Sequence, residues 1–513
     1  MKALKGVLIY IGIVLAIILV IAMALFGLMY FIPSFRILGV GVTHVSKNIS
    51  DEHVSLASPN GESYSSIQLS LSSNKVPIEI SASAEVSDIV YSLDVSTFGI
   101  SFDITEYRVI KEVDVSGGVL KISLSVTEPE GWISMSGGGV RVVVPQAKTY
   151  ALVFNTKSAS VTLNNNDANL SISKLSGNTT SGNLYYEKNE GETKTLGLSA
   201  LNLSTKSGTM NLSNVNNLTV SSPIKINAER GTFKFDKVNA SFDVKGTGIT
   251  LTAESITCKS DGFSFLAENG KLKVGSITSP TGAENSIITE TAGVFITTLD
   301  GKTGINTSSG TVDIEETNKS TVIQSEHGSV TIKRALDDID ITTHYGDIEV
   351  DSYAKNGTFS SKRGNITVNS TSDYVAGYKT KINNVNGNIS VVNKINHLIV
   401  TTEGSSKVTV RFEEIKSGLT TSSMFVHTIK LNEKGSGKIY LPSGNTAYEF
   451  TATGNISGVI KGLDSGEVTG SSITASSSPQ YYPDESHKAE SGTSCKFVFD
   501  GTMELIGYLP TQG

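Results

Sequence analysis

Cysteine and charge are scarce in this 513-residue sequence. It has two cysteines, Cys258 and Cys495, which stand far apart along the chain. They form neither the closely spaced set of a disulfide-rich domain nor that of a structural zinc site. Charged residues make up 18%, the formal net charge is −7, and there is no basic run. Because a phosphate-binding surface needs clustered lysine and arginine, nucleic acid is not expected as a partner.

Catalytic signatures are lacking as well. The sequence has no Gly-x-Ser-x-Gly nucleophile elbow, no glycine-rich phosphate loop and no cysteine–histidine pair at a recognisable spacing. After the first 32 residues, no stretch of ten residues has the apolar period of a helix. We therefore expect an all-β chain with no cofactor, no catalytic residue and no bound metal.

One long apolar segment, residues 6–32, contains no charged residue. It is long enough to cross a bilayer as a helix. Two lysines precede it, and this bias favours a cytoplasmic N-terminus. A cleaved signal peptide is the alternative, but the run is longer than the apolar region of such a peptide. We predict residues 1–5 as a cytoplasmic tail, residues 6–32 as an uncleaved single-pass anchor in the cell membrane, and the region that follows as extracellular.

Two segments separate the anchor from the repeats. Residues 33–64 have no clear period and are predicted to be a juxtamembrane linker. Residues 65–145 contain short runs in which apolar and polar residues alternate, such as 67–71 and 120–126. Alternation of this kind is typical of half-buried antiparallel strands. We predict an N-terminal antiparallel β cap over 65–145, which would cover the open edge of the first coil.

A repeat with a glycine at a fixed position dominates the centre of the chain. Gly310, Gly328, Gly346 and Gly364 follow one another at steps of 18 residues, each with an apolar residue two and four positions later. A constant period with constant apolar columns is typical of a stacked solenoid. We predict a parallel β-solenoid (β-helix) over 146–395, with coils about 4.8 Å apart. At less regular steps, the same column is expected to include Ala159, Gly182, Gly208, Gly231, Gly248, Gly270, Gly293 and Gly387.

The repeat loosens towards the C-terminus. Residues 396–513 are predicted to be a second, shorter module of the same kind with its own cap. Residues 471–494 are rich in serine, proline and tyrosine and are expected to form a mobile loop. Two apolar runs, 496–499 and 503–506, flank an Asp-Gly pair, which predicts a closing β-hairpin.

Four short stretches carry a family resemblance. They are Val-Val-Val-Pro at 142–145, Lys-Ser-Gly-Thr-Met-Asn-Leu at 206–212, Ser-Ser-Gly-Thr-Val-Asp-Ile at 308–314 and Leu-Pro at 441–442. A strand ending in proline, followed by serial Thr-x-x-Gly-x-Ile/Val-x-Val coils, resembles the bacterial adhesin-type domains of unknown function, a β-solenoid repeat family. The resemblance covers residues 65–460. It implies a β-solenoid fold and a role in adhesion, and it supplies no catalytic residues.

Stacking at 18 residues brings charged side chains into outward columns. These candidate binding residues are Asp313, Glu315, Lys333, Asp347, Glu349 and Asp351. Within the set, Glu315, Lys333 and Asp351 alternate in sign from coil to coil. One interpretation is a solvated ladder that avoids like-charge stacking. The other is a carbohydrate- or calcium-binding face of the kind that pectate-lyase-like solenoids use. The ladder is the simpler interpretation.

A second polar set is predicted at the corner just before the glycine. Glu326, His327 and His344 come close together if the coils stack in register. Such a set could be a metal site or an acid–base group. Exposed corners of this composition are more often simply polar, so these residues are candidates for binding and not for catalysis.

These patterns favour a protein without enzymatic activity. We expect a membrane-anchored surface β-solenoid that binds cell-envelope or host glycans or surface proteins. The alternative is a polysaccharide-active enzyme of the β-helix lyase type, with Asp313, Asp347, Glu349 and Lys333 on its active face. A scaffold that polymerises end to end is a third hypothesis, which the predicted caps disfavour.

Overall fold

The computed structural model shows an all-β protein with one N-terminal helix among its described residues. Strands account for 67% of the structure, which confirms the predicted fold class. The described residues are 2–32, 37, 41–101, 106–129, 133–166, 168–189, 195–370, 378–393, 397–412, 425–441, 447–459, 470–476 and 494–507.

Helix α1 spans Lys2–Phe31. It contains no proline and is almost wholly apolar. Its segment Ile11–Phe31 has a mean hydropathy of 3.1, and none of the window is buried inside the protein. A helix of this length and composition can cross a membrane, and a signal sequence near the N-terminus would meet the same description. The predicted apolar helix is thus confirmed, and its role as an anchor stays a prediction.

The strands fall into two compact units, each wound as a β-solenoid. Unit 1 comprises residues 1–222 and 230–236, and unit 2 comprises residues 223–229 and 237–513. Counted over both units, the solenoids make about 11 turns.

Unit 1 holds the first fifteen strands. They are β1 Gly41–Val54, β2 Ser66–Ser73, β3 Ile78–Ser83, β4 Ile89–Ser101, β5 Arg108–Ser116, β6 Val119–Thr127, β7 Ile133–Pro145, β8 Thr149–Thr156, β9 Val161–Asn164, β10 Ser171–Thr179, β11 Leu184–Glu187, β12 Thr195–Leu198, β13 Ala200–Thr205, β14 Thr209–Leu212 and β15 Asn217–Val220. Strand β16, Ile224–Phe235, has residues in both units.

Unit 2 holds the remaining strands. They are β17 Lys237–Asn239, β18 Phe242–Thr257, β19 Phe263–Thr278, β20 Glu284–Thr289, β21 Gly293–Asp300, β22 Lys302–Thr307, β23 Val312–Thr317, β24 Thr321–Ser325, β25 Val330–Ala335, β26 Ile339–Thr343, β27 Ile348–Tyr353, β28 Gly357–Ser361, β29 Ile366–Ser370, β30 Lys379–Asn384, β31 Asn388–Asn393, β32 His397–Thr402, β33 Lys407–Phe412, β34 Phe425–Lys430, β35 Ser436–Leu441, β36 Ala447–Val459, β37 Gly470–Ser476, β38 Ser494–Asp500 and β39 Met503–Gly507.

Each regular coil contributes one strand to each of two parallel sheets. We call them the threonine-side sheet, whose strands end in a buried threonine, serine or asparagine, and the glycine-side sheet, whose strands follow the column glycine. In unit 2 the first sheet includes β20, β22, β24 and β26, and the second includes β21, β23, β25 and β27. Alternate residues of the strands, such as Val330 and Ile332 in β25, are buried and form the core. The register Val312–Val330–Ile348 confirms the predicted stacking of apolar columns.

Close contact between coils explains the glycine column. A Cβ atom added to Gly328 would lie less than 3.0 Å from the carbonyl oxygen of Gly310, and Gly346 and Gly364 meet the preceding coil in the same way. None of these glycines has a positive φ. At these positions it is therefore the lack of space for a side chain, and not a left-handed backbone, that requires glycine.

Two predicted members of the column are wrong by one residue. Gly270 pairs with Ile249 and not with Gly248. Gly310 lies against the carbonyl of Ala292, so Ala292 takes the place predicted for Gly293. The step before Gly310 is therefore 310 − 292 = 18 residues, as in the coils that follow.

Buried hydroxyl groups hold the turns that lead to several of the column glycines, Gly310, Gly328, Gly346 and Gly364 among them. Thr307 accepts a hydrogen bond of 2.9 Å from the amide of Gly310, and Thr343 donates one of 2.6 Å to the carbonyl of Gly346. The same three-residue spacing recurs in unit 1. These polar groups can be buried because they are hydrogen-bonded. In unit 2 the buried column consists of Thr289, Thr307, Ser325, Thr343, Ser361, Asn384 and Thr402.

The first coils of unit 1 are not stacked in sequence order. Strand β2 lies between β6 and β8, and β3 lies between β7 and β9, with all four pairings parallel. Antiparallel pairs join β1 to β4, β4 to β7 and β5 to β6. The prediction of antiparallel strands over 65–145 is therefore wrong for β2 and β3, and the predicted linker 33–64 contains β1. Alternation shows that one face of a strand is buried, but it does not show the direction of the neighbouring strand.

The last coils of unit 2 repeat this interleaving. Strand β38 lies between β34 and β36, and β39 lies between β35 and β36, again in parallel. Because β38 and β39 belong to different sheets, the predicted hairpin is wrong; Gly501, at φ 123°, lies between them at a corner of the coil. The predicted loop 471–494 begins with β37, which pairs antiparallel with β36. Residues 477–493 and Pro442 lie outside the described residues.

Candidate binding groove

The alternating charges form ion pairs between coils. The Nζ atom of Lys333 lies 2.9 Å from Oε1 of Glu315, and the two side chains are 57% and 51% exposed. The hydrogen bond to Glu315 raises the pKa of Lys333, and the charges of Asp313 and Asp351 act in the same direction. Exposed pairs of this kind contribute little to stability, because solvent and salt screen them. Three further pairs join an acid to a base 18 residues later: Glu284–Lys302, Glu316–Arg334 and Asp337–Lys355.

The other acidic candidates on the glycine-side sheet do not converge on one point. Asp313 and Glu349 occupy the same outward column with Thr331 between them, so they stand two coils or about 10 Å apart. Asp347 has a structural contact, because its Oδ1 accepts a hydrogen bond of 2.7 Å from the amide of Asn365 in the next coil.

At the corner, the predicted polar set separates into two neighbouring columns. The rings of His327 and Tyr345 stack with centroids 4.8 Å apart, and the Arg363 guanidinium lies 5.6 Å from the centre of the Tyr345 ring. Glu326 instead accepts a hydrogen bond of 3.3 Å from Ser308. Among the described residues, no group of three histidine, cysteine or acidic side chains is placed to hold a metal ion.

An open groove of about 1010 Å³ runs along the threonine-side sheet of unit 2. Most of its lining comes from five coils in succession, since β19, β20, β22, β24 and β26 pair in parallel and in register. Gly246 and Thr247 of β18 line the end of the groove beside β19. At the usual spacing, the first and fifth coils lie about 19 Å apart. The groove therefore suits an extended ligand better than a compact one.

Two outward columns supply most of the groove's functional groups. We call them the mixed column, four residues before the glycine position, and the acidic column, two residues before it. The mixed column is Leu266, Ile288, Asn306, Gln324 and Thr342. The acidic column is Glu268, Glu290, Ser308, Glu326 and His344. Between them lie buried residues, such as Thr307, that hold the turns.

The electrostatic character of the groove follows from its lining. It includes three glutamates and one histidine, and no lysine or arginine lines it in the part of the chain that the structure describes. Carboxylates accept hydrogen bonds and attract cations, while they repel anions. The groove is thus suited to ligands that donate hydrogen bonds or carry positive charge.

Sequence reasoning found only part of this groove. Of the nine candidate residues, Glu326 and His344 line it, and His327 lies in the next column. The other six lie on or beside the strands of the glycine-side sheet. The other residues of the two columns recur at two and four positions before the column residue, and this recurrence is visible in the sequence. Taking Gly293 in place of Ala292 shifted that coil by one residue, and this concealed the alignment of Ile288 and Glu290 with their neighbours.

Comparison with protein-family models agrees with the fold. The model of Toastrack DUF4097, a domain of unknown function, matches residues 64–392. Comparisons with curated proteins and with solved structures found no match. The matched segment covers more than half of the chain and includes the groove and most of the stacked coils. The chain therefore belongs to the Toastrack DUF4097 family.

Proposed function

We propose that this protein is a membrane-anchored binding module without catalytic activity, which uses a β-solenoid surface to hold an extended partner at the cell surface. The observation that carries the proposal is the groove, whose two columns repeat in five successive coils. Repetition lets contacts that are weak one by one add up along a polymer. The adhesin role that the family resemblance implies is of this kind.

The N-terminal helix supports the anchor. None of the Ile11–Phe31 window is buried inside the protein, so its apolar surface is available to lipid. A soluble core helix would bury such a face. The two lysines before the apolar run favour a cytoplasmic N-terminus and an extracellular solenoid.

The contacts and spacing of the charged candidate residues support a role without catalysis. Lys333 would be the base of a lyase, but it is paired with Glu315. Asp347 holds the amide of Asn365, and Asp313 is two coils away from Glu349. A general base and an acidic partner have to reach the same substrate atoms, and these side chains are spread along the sheet.

A binding screen on the full-length chain in nanodiscs would test the proposal. We expect at least one polymer among immobilised glycans and surface or matrix proteins to be retained, without release of shortened or unsaturated sugars. Calcium-dependent formation of unsaturated products would establish the lyase alternative. Failure of every polymer to bind would contradict a binding role. Protease treatment of intact cells should remove the solenoid, and full protection would reverse the proposed orientation.

A further inference from the structure

The backbone beneath the groove has no free edge. Strand β22 pairs with β20 on one side and with β24 on the other, and β24 pairs with β22 and β26. A peptide that binds by strand addition needs an unpaired strand edge. A peptide lying in this groove would find only side-chain partners for its own amide and carbonyl groups, and poorly paired polar groups cost binding energy. The groove is therefore a poor site for an extended peptide.

The side chains of the groove offer a mixture of donors and acceptors. The amides of Asn306 and Gln324 both donate and accept, and the hydroxyl of Thr342 does the same, whereas Glu268 and Glu290 only accept when ionised. A matching ligand must itself present many donors along its length. Sugar hydroxyl groups meet this requirement, and so do the ammonium groups of amino sugars. Polyuronates and sulfated glycans would bring further negative charge beside the carboxylates.

One end of the groove adds an apolar surface. Leu266 and Ile288 are partners in adjacent strands, and they are 43% and 45% exposed. Aliphatic side chains in this position can pack against the apolar C–H face of a sugar ring. The exposed Tyr345 is unsuited to that role, because His327 stacks on its ring and the Arg363 guanidinium lies over it.

We propose that the groove binds a linear glycan, neutral or amino-substituted, that lies parallel to the stacking axis across the five coils. This inference rests on the proposed binding function and names the ligand class and its site. Asn306, Gln324 and Thr342 exchange hydrogen bonds with hydroxyl groups of the chain. The carboxylates of Glu268, Glu290 and Glu326 accept hydrogen bonds from hydroxyl or ammonium groups, and Leu266 and Ile288 pack against a sugar ring at one end.

Calorimetric titration of the full-length chain in detergent micelles tests this proposal with four probes. They are neutral β-linked glucan oligomers, chitosan oligomers, polygalacturonate oligomers and oligolysine. We expect binding of the glucan oligomers, the chitosan oligomers or both. Affinity should rise with oligomer length until the ligand spans the groove, about 19 Å for five coils.

Two asparagines of the same column provide a matched pair of variants. Asn306 lines the groove, whereas Asn383 stands at the equivalent exposed position of β30 beyond it. Asn306→Ala should weaken binding about five-fold, the effect of losing one net hydrogen bond. Asn383→Ala should leave affinity unchanged, and unfolding curves should show both variants folded.

A charge variant separates the two kinds of glycan. Glu290→Gln keeps the size of the side chain and removes its negative charge. It should weaken chitosan binding by about ten-fold if ammonium groups face the carboxylates, because charged hydrogen bonds are stronger than neutral ones. Binding of a neutral glucan should change less than about three-fold, since an amide oxygen still accepts.

Several outcomes would overturn the inference. Preferential binding of polygalacturonate would do so, as would binding of oligolysine without either glycan, or equal losses in Asn306→Ala and Asn383→Ala. If a polymer binds with the same affinity to the parent chain and to the groove variants, the proposed site is wrong, while the proposed binding function stands. If none of the four probes binds, the inference fails. If the broad screen also finds no polymer that binds, the proposed function fails as well.

Discussion

The amide of Gly310 donates a hydrogen bond of 2.9 Å to the buried hydroxyl of Thr307. The two residues end one sheet and begin the other, so this bond fixes the turn of the coil. Because related Thr-x-x-Gly turns recur in both units, the glycine and the hydroxyl can be tested separately, each against a control in the same solenoid.

Gly346→Ala should destabilise the protein. Its new Cβ would collide with the carbonyl oxygen of Gly328, which belongs to the backbone of the preceding coil and cannot rotate away. Overpacking of this kind costs about 1–3 kcal/mol. Gly304→Ala is the control, because nothing lies within 4 Å of its added Cβ. Urea unfolding of the detergent-solubilised chain measures both variants, and equal losses would show that crowding is not the cause.

Thr343→Val removes the buried hydroxyl while keeping the shape of the side chain. The carbonyl of Gly346 then loses the hydrogen bond of 2.6 Å that Thr343 donates. The carbonyl then keeps only a hydrogen bond of 3.4 Å from Ser361, so the variant should lose about 0.5–1.5 kcal/mol, the net contribution of one hydrogen bond. Thr367→Val, at an exposed position of β29, should change the free energy of unfolding by less than about 0.5 kcal/mol. Thermal unfolding distinguishes the two, and a neutral Thr343→Val would mean that the hydroxyl does not hold the turn.

Val330→Asp and Lys333→Ala test the orientation of strand β25. Val330 is 1% exposed, so an aspartate there would bury an unpaired charge and cost more than about 4 kcal/mol. Lys333 lies on the outside and loses only its exposed pair with Glu315, so Lys333→Ala should leave the unfolding midpoint nearly unchanged. Circular dichroism and the unfolding midpoint report both effects. An unchanged midpoint for Val330→Asp would contradict the register of the strand.

Stability should fall in mild acid because of His427. Burial lowers the pKa of His427 from 6.5 to about 3, with a smaller effect from His397. Its Nδ1 accepts a hydrogen bond of 3.2 Å from the amide of Leu398. Above pH 6.5 the ring is neutral in both the folded and the unfolded states. As the pH falls towards 3, only the unfolded state gains the proton, so the free energy of unfolding decreases.

Between pH 7 and pH 5 this linkage removes about 2 kcal/mol of stability. His427→Gln keeps an acceptor for Leu398 and cannot titrate, so its stability should fall less over the same interval. Denaturant unfolding at the two pH values gives the loss of unfolding free energy for each protein. Subtracting the loss in His427→Gln from the loss in the parent chain cancels the contributions of the other titratable groups. Equal slopes for the two proteins would show that His427 is not held neutral.

Local signals were sufficient to predict the fold class because the solenoid repeats a local rule. Val312 and Ile314 recur in each coil at two and four residues after the glycine, so one coil's pattern predicts the next. The same regularity predicted that Glu315 and Lys333 would meet. The groove was harder to predict, since its alignment depends on Ala292 and Ile249 taking positions that a search for glycine assigns to their neighbours.

By itself, the sequence determined the apolar helix, the parallel coils, and the inward and outward faces of strands such as β25. These properties follow from periodicity, which acts over a few residues. Tertiary structure alone decided the order of the end coils, where β2 is inserted beside β8 and β38 beside β34. Several strands far apart in sequence have similar alternation of apolar and polar residues, so local pattern does not distinguish them as pairing partners. Tertiary packing selects among them. It also decided where the mixed and acidic columns come together in one groove, because that depends on exact stacking over five coils.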